Sequence, residues 1–185
     1  MRLSWTRLCL LAAATLLLAA CGFQLRGAYP LAFDSIYLGM PETGEMHARL
    51  KRSIMAGSKV DVANSREAAQ VMLQVLTDRQ AKNILSLSAA GRVSEYQLVR
   101  TFSFRLVGTD NREWLSPGQI TVRRDISYND DQVLSKESEE TLLWRDMQND
   151  LIQQILRRLS AAKVPPPPSP AAAAAGGDGA GQPQN

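Results

Sequence analysis

Apolar and polar positions alternate along this chain in blocks that change period, and the changes mark the elements. Asp34-Ser-Ile-Tyr-Leu-Gly39 has the apolar enrichment of a short strand and runs into the breaker cluster Met40-Pro-Glu-Thr-Gly44. Met46, Leu50 and Ile54 then recur every four residues with Arg49, Lys51 and Arg52 between them. That spacing predicts an amphipathic helix, with Gly57 as its C-cap. From 69 to 77 the alternation of Val71, Leu73 and Val75 predicts a strand, and Met72 and Leu76 on its other face suggest cover on both sides. A long polar stretch containing Ser86, Ser88 and Gly91-Arg92 reads as the next turn.

The run from Glu95 to Val107 puts Tyr96, Leu98, Phe102, Phe104 and Leu106 on one face and Gln97, Thr101, Ser103 and Arg105 on the other. Arg100 interrupts the apolar face and is expected near its edge. Gly108-Thr-Asp-Asn-Arg112 is a turn signal, after which Ile120, Val122, Arg124, Ile126 and Tyr128 alternate through a further strand; Trp114 and Leu115 extend it backwards across Pro117-Gly118. The last element is a helix, on the ladder Leu143, Met147, Leu151, Ile155 and Leu159 widened by Leu142, Ile152 and Leu156. Glu137, Glu139 and Glu140 near its start and Arg157, Arg158 and Lys163 at its end suit the helix dipole. The order strand, helix, three strands, helix predicts an α+β two-layer sandwich, two helices packed on a mostly antiparallel four-stranded sheet, formed by a single domain over residues 31–163.

The two ends follow other rules. Arg2 and Arg7 precede an apolar run from Leu8 to Ala20, which ends in Leu18-Ala-Ala-Cys21-Gly22. A run of about thirteen residues is short of the roughly twenty that span a bilayer, and the order charged, apolar, small is that of a cleaved signal peptide over residues 1–20. An ordinary secretory peptide would share that order. Leu three positions before a Cys that follows two alanines is the pattern of a bacterial lipobox, which makes Cys21 the lipid attachment site and residues 21–30 a lipidated segment. Each buried methylene contributes about 0.8 kcal/mol, so several acyl chains give a lasting membrane anchor. Gly22, where Asp would signal retention in the inner membrane, favours the outer membrane. Beyond Val164, four prolines, Ser169-Pro170, five alanines and a Gly/Gln-rich end predict a disordered tail over 164–185, a proline-rich docking ligand being the alternative.

Charge and chemistry narrow the function. Of 21 Lys plus Arg against 18 Asp plus Glu, only Arg2 and Arg7 leave with the leader, so a net +3 becomes +1 and the basic pI gives no argument for nucleic acid. The second cysteine, Cys9, lies in the leader, which excludes a disulfide or Cys-based metal site from the mature chain. The sole histidine, His47, accompanies no nucleophile motif, no glycine-rich phosphate loop follows a strand, and no paired His/Cys spacing offers a metal site. The chain reads as a tethered binding or scaffolding domain, not an enzyme, with no cofactor. A scaffold or activator of another envelope enzyme, such as a cell-wall synthase, fits the same description; a small lipoprotein hydrolase is a third reading, for which the chain offers one histidine and no nucleophile-elbow motif.

Three stretches carry a family likeness. Cys21-Gly-Phe-Gln-Leu-Arg26-Gly27 resembles the mature N-terminus of the LptE family of LPS-assembly lipoproteins, Ser94-Glu-Tyr-Gln-Leu98 its Ala/Ser-Glu-Tyr-Gln-apolar strand, and Leu134-Ser-Lys136-Glu-x-Glu139 the start of its last helix. The resemblance spans most of residues 18–160. It implies two helices on a four-stranded sheet, a lipid-anchored place in the outer membrane, and a domain on the periplasmic side inside the LptD β-barrel, as a heterodimer. It further implies plugging that barrel, assisting its assembly and binding lipopolysaccharide. Lys136 matches the family's binding lysine; at the position of its second basic residue this chain has Ala89, and nearby Arg92 is the candidate substitute. Lipopolysaccharide presents phosphates and acidic sugars, for which charge-assisted bonds from Lys and Arg are the strong contacts. Without the resemblance, both residues read as solvated surface cations.

Overall fold

A computed structural model describes residues 29–129 and 133–166; the leader, Cys21 and the tail from 167 onwards lie outside the described residues. The elements are β1 (Ser35–Gly39), α1 (Glu45–Gly57), β2 (Asp61–Ala63), β3 (Val71–Leu87), β4 (Val93–Gly108), β5 (Glu113–Ser127) and α2 (Val133–Ser160). They form the expected α+β arrangement, but the sheet has five strands in the order β2-β1-β3-β4-β5 and is mixed. β1 runs parallel to both β2 and β3, whereas β3, β4 and β5 form an antiparallel meander. The expected four-stranded, mostly antiparallel sheet is thus corrected at its β1 side. The added strand, β2, is three residues long and offers too few positions for an alternation to show.

Both helices lie on the same face of the sheet. Ile36 and Leu38 of β1, Val71 and Leu73 of β3, Leu98, Phe102, Phe104 and Leu106 of β4 and Ile120, Val122 and Ile126 of β5 are buried against Met46, Leu50 and Ile54 of α1 and the ladder of α2. Met147, Leu151, Ile155 and Leu159 are buried with Ile152 and Leu156, whereas Leu142, expected to widen that stripe, is 58 % exposed. The opposite face is polar and half-open: Arg105 donates to Gln74 Oε1 at 2.7 Å, and Gln97 to Asp125 Oδ1 at 3.0 Å. β3 is therefore covered on one face only, contrary to the reading of Met72 and Leu76.

Two local devices decide where elements stop. α1 ends when Ser58 turns extended and its hydroxyl donates to Ile54 O at 2.8 Å, so Ser58, not Gly57, is the cap. In β3, Val75 faces Phe104 but Thr77 faces Ser103, which leaves Leu76 as a bulged extra residue. One extra residue exchanges the two faces. Upstream of it the odd residues point inward; downstream Asp78, Gln80, Lys82 and Ile84 do, opposite Phe102, Arg100, Leu98 and Tyr96. The polar stretch read as a turn is accordingly strand up to Leu87, and the turn itself is confined to Ser88–Arg92, with Ser88 N donating to Arg92 O at 2.7 Å and Gly91 at φ +75°. With arms of 17 and 16 residues, the β3–β4 hairpin is roughly 55 Å long at about 3.3 Å per residue. It dominates the fold and carries the candidate site at its turn end.

Candidate binding recess at the hairpin end

Lys136 lies one turn into α2, where the helix starts beside the end of β5. Its ammonium donates to Ser127 Oγ at 3.0 Å and to Glu139 Oε2 at 2.8 Å, and its side chain is 16 % exposed. Across the sheet, the bulge at Leu76 turns Lys82 of β3 to the same face. Lys82 Nζ is 2.6 Å from Glu140 Oε2 and 4.3 Å from the centroid of the Tyr96 ring, over its electron-rich face. Tyr96 in turn meets Tyr128 edge to face, with centroids 5.3 Å apart at 83°. Trp144 Nε1 donates to the other oxygen of Glu140 at 3.2 Å. Lys82 and Lys136, Glu137 and Glu140, and the apolar and aromatic Ile126, Tyr96 and Tyr128 thus line a recess of about 120 Å³.

Arg92 is placed differently. It closes the β3–β4 turn, with its own N–H on Ser88 Oγ at 3.2 Å. Ser94 O accepts from Tyr128 N at 2.8 Å, and Glu95 is in register with Ser127, so the turn and the Lys136 recess share one end of the sheet. Arg92 does not line the recess. The cation that joins Lys136 there is Lys82, which the sequence reading passed over because it ended the strand at Thr77. Its signal was the inward set Asp78, Gln80, Lys82, Ile84, one residue out of phase with Val71, Leu73 and Val75.

Chemically, the recess presents two ammonium groups, each with three donors, on an aromatic floor. Their present counter-charges are the carboxylates of Glu139 and Glu140 on α2. An oxyanion on a ligand can take the place of either carboxylate as a charge-assisted acceptor. No helix among the described residues is long and apolar enough to cross a membrane.

The fold and recess define a class: a two-helix α+β domain with one dominant hairpin and a recess of paired charges and tyrosines toward its turn end. Comparison with known proteins gives the family. The model described as LptE: Lipopolysaccharide-assembly matches residues 33–159, and the chain belongs to that family. Among curated relatives, the LPS-assembly lipoprotein LptE of Pectobacterium atrosepticum is 26% identical over 151 residues, covering 79% of this chain and 80% of that protein. That of Yersinia pestis is 28% identical over 158 residues, covering 81% and 73%. Among solved structures, the solution structure of uncharacterized lipoprotein B from Nitrosomonas europaea matches with a TM-score of 0.66 at 38% identity, over 76% of this chain and 91% of that one. The crystal structure of a minor lipoprotein from Acinetobacter baumannii matches with a TM-score of 0.60 at 26% identity, over 74% and 100%. Membership places the chain among envelope lipoproteins of lipopolysaccharide assembly.

Proposed function

We propose that the chain is held in the outer membrane by lipid-modified Cys21, that its domain plugs an LptD-type β-barrel from the periplasmic side and assists that barrel's assembly, and that it binds lipopolysaccharide at the hairpin end. The observation that carries the binding role is that Lys136 and Lys82 line one recess with Tyr96 and Tyr128, Lys82 lying over the Tyr96 ring. Phosphates of the ligand exchange with Glu139 and Glu140, and the aromatic floor shields the new pairs from water. Arg92, at the adjacent turn, is a second contact from the same end. The plug role draws support from the helix-free face of the sheet, where Gln74, Gln97, Arg105 and Asp125 suit the polar, water-filled lumen of a large barrel.

Charge reversal tests the site. Lys136→Glu in the lipidated full-length chain is expected to lower lipopolysaccharide capture several-fold while leaving the melting temperature within a few degrees; undiminished capture moves the site elsewhere. Affinity purification from solubilised membranes tests the plug, which requires an outer-membrane β-barrel at one-to-one stoichiometry.

A further inference from the structure

Tyr29, the first described residue, is fastened to both helices. Its N–H donates to Gly57 O at the C-terminal end of α1 at 2.6 Å, and its hydroxyl donates to Gln153 Oε1 of α2 at 2.7 Å. Cys21 is eight residues upstream. Even fully extended, that length spans no more than about 30 Å, so whatever holds Cys21 keeps this end of the helix pair close to it. The Lys136 recess is elsewhere, since about 25 Å of α2 separates Lys136 from Gln153.

Beside Tyr29, a cleft of about 370 Å³ lies between the helices, lined by Arg49, Arg52 and Ser53 of α1 and by Asn149 and Gln153 of α2, with no carboxylate in its walls. Both amides are turned by their own partners. Arg49 Nη1 donates to Asn149 Oδ1 at 3.0 Å and Tyr29 occupies Gln153 Oε1, so each carbonyl oxygen is engaged and each NH₂ group is left to donate. Glu45, one turn earlier, matches the charge of Arg49 at 2.7 Å. Arg52 has no salt-bridge partner among the described residues. The cleft is therefore a set of donors with one unmatched positive charge, which fits an oxyanion.

Arg52 also borders a second cleft on the other side of α1, beside Lys51, which likewise has no salt bridge among the described residues; Glu42 is the one carboxylate in that lining. Met55, 57 % exposed, stands in the same lining. A soluble anion has no use for a protruding apolar side chain. Cations around one suit a bilayer surface, where headgroup phosphates meet the cations and the apolar side chain enters below them.

We propose that this end of the helix pair docks on the bilayer that holds the anchor, with the phosphate of an anionic glycerophospholipid in the cleft of Arg49 and Arg52 and with Met55 reaching below the headgroups. The proposal rests on the reading of Cys21 as lipid-modified. The tether supplies what exposed cations lack alone: it presents headgroups to the cleft at high effective concentration, so weak contacts suffice to fix how the domain stands on the membrane. The cleft is on the helix-bearing face, which leaves the helix-free face to the barrel.

The test uses the full chain, acylated in cells, purified and inserted in vesicles of phosphatidylcholine with or without about a third phosphatidylglycerol. Bimane is placed at Lys59→Cys, just beyond α1, or at Leu142→Cys toward the recess as a control, and the vesicles carry a nitroxide quencher on their headgroups. Quenching at position 59 is expected to rise about twofold or more with phosphatidylglycerol and to fall back in about 1 M sodium chloride, with position 142 unmoved. Arg52→Glu, which breaks no salt bridge among the described residues, is expected to abolish the rise with the melting curve unchanged. No rise at position 59, an equal rise at both positions, or a rise that survives Arg52→Glu overturns the proposal. So does reversal by millimolar inorganic phosphate, the mark of a small-anion site, or a rise obtained only when lipopolysaccharide replaces phosphatidylglycerol. A chain that does not float with neutral vesicles refutes the anchor and this inference with it; a chain that floats and shows no rise refutes the docking alone.

Discussion

Arg100 and Asp78 form a two-point ion pair across the β3–β4 hairpin, Nη2 to Oδ2 at 2.9 Å and Nε to Oδ1 at 3.2 Å, with the guanidinium side chain 5 % exposed and the carboxylate 35 %. The pair sits on the inner face, among Phe102, Val75 and Gln148. It explains how a charge stands in the middle of an otherwise apolar strand face, and it corrects the expectation of Arg100 at the edge. Asp78→Asn removes the counter-charge and keeps the shape, leaving the guanidinium buried and unmatched. The expected loss is about 1–3 kcal/mol in urea unfolding, below a fully buried pair because Asp78 is partly solvated. The double variant with Arg100→Met should recover part of it, which a double-mutant cycle would show.

Lys82 should separate stability from binding. Its contacts to Glu140 and Tyr96 are partly exposed, and pairs of that kind contribute about 0–1 kcal/mol. Lys82→Ala is therefore expected to leave the melting curve nearly unchanged while lowering lipopolysaccharide capture. A drop in both together would assign the residue to the framework instead.

Gly39 is needed where β1 meets β3. A Cβ there would lie 2.9 Å from the backbone oxygen of Leu73, which cannot swing aside as a side chain would. Gly39→Ala should push β1 off β3 and cost about 1–3 kcal/mol. By contrast, Gly118→Ala meets only the flexible end of Arg158 and should cost less. Thermal melts of the two variants side by side give the comparison.

The α2 ladder predicts a contrast along one helix. Leu151 is fully buried and Leu142 is 58 % exposed. Leu151→Ala should cost about 2–5 kcal/mol through lost burial and the cavity it leaves, whereas Leu142→Ala should stay within about 0.5 kcal/mol. Equal effects would mean that the N-terminal half of α2 packs differently from the arrangement described.

Asp110 sets a pH dependence in the β4–β5 turn. The backbone N–H of Arg112, then its guanidinium, hold the carboxyl below the ordinary carboxylate value. A group whose pKa is lowered on folding supports the fold above its unfolded pKa and loses that support as pH falls through the folded one. The Asp110 carboxyl should accordingly titrate, by NMR, at lower pH than in an unfolded peptide. A midpoint at or above the peptide value would contradict the turn geometry.

The chain alone determined much of this molecule. Periodicity located both helices, β4 and β5, since each has a period that persists long enough to show, and apolar enrichment before a breaker cluster located β1. Trp114 and Leu115 do belong to β5, whose register with β4 shifts between Phe104 and Leu106, opposite Ser116 and Pro117. Local sequence also carried the family likeness that the match over residues 33–159 bears out. Only the tertiary structure decided the rest. Parallel pairing of β1 with β2 and β3 depends on contacts between segments far apart in sequence, which no local period encodes. The bulge at Leu76 exchanged the faces of β3 halfway along, so a strand of 17 residues looked like a short strand followed by a polar turn. That exchange also brought Lys82, and not Arg92, to the recess of Lys136, and turned Asp78 toward Arg100. A single inserted residue has little effect on composition, but because strand side chains alternate with a period of two, it reassigns every residue after it to the other face.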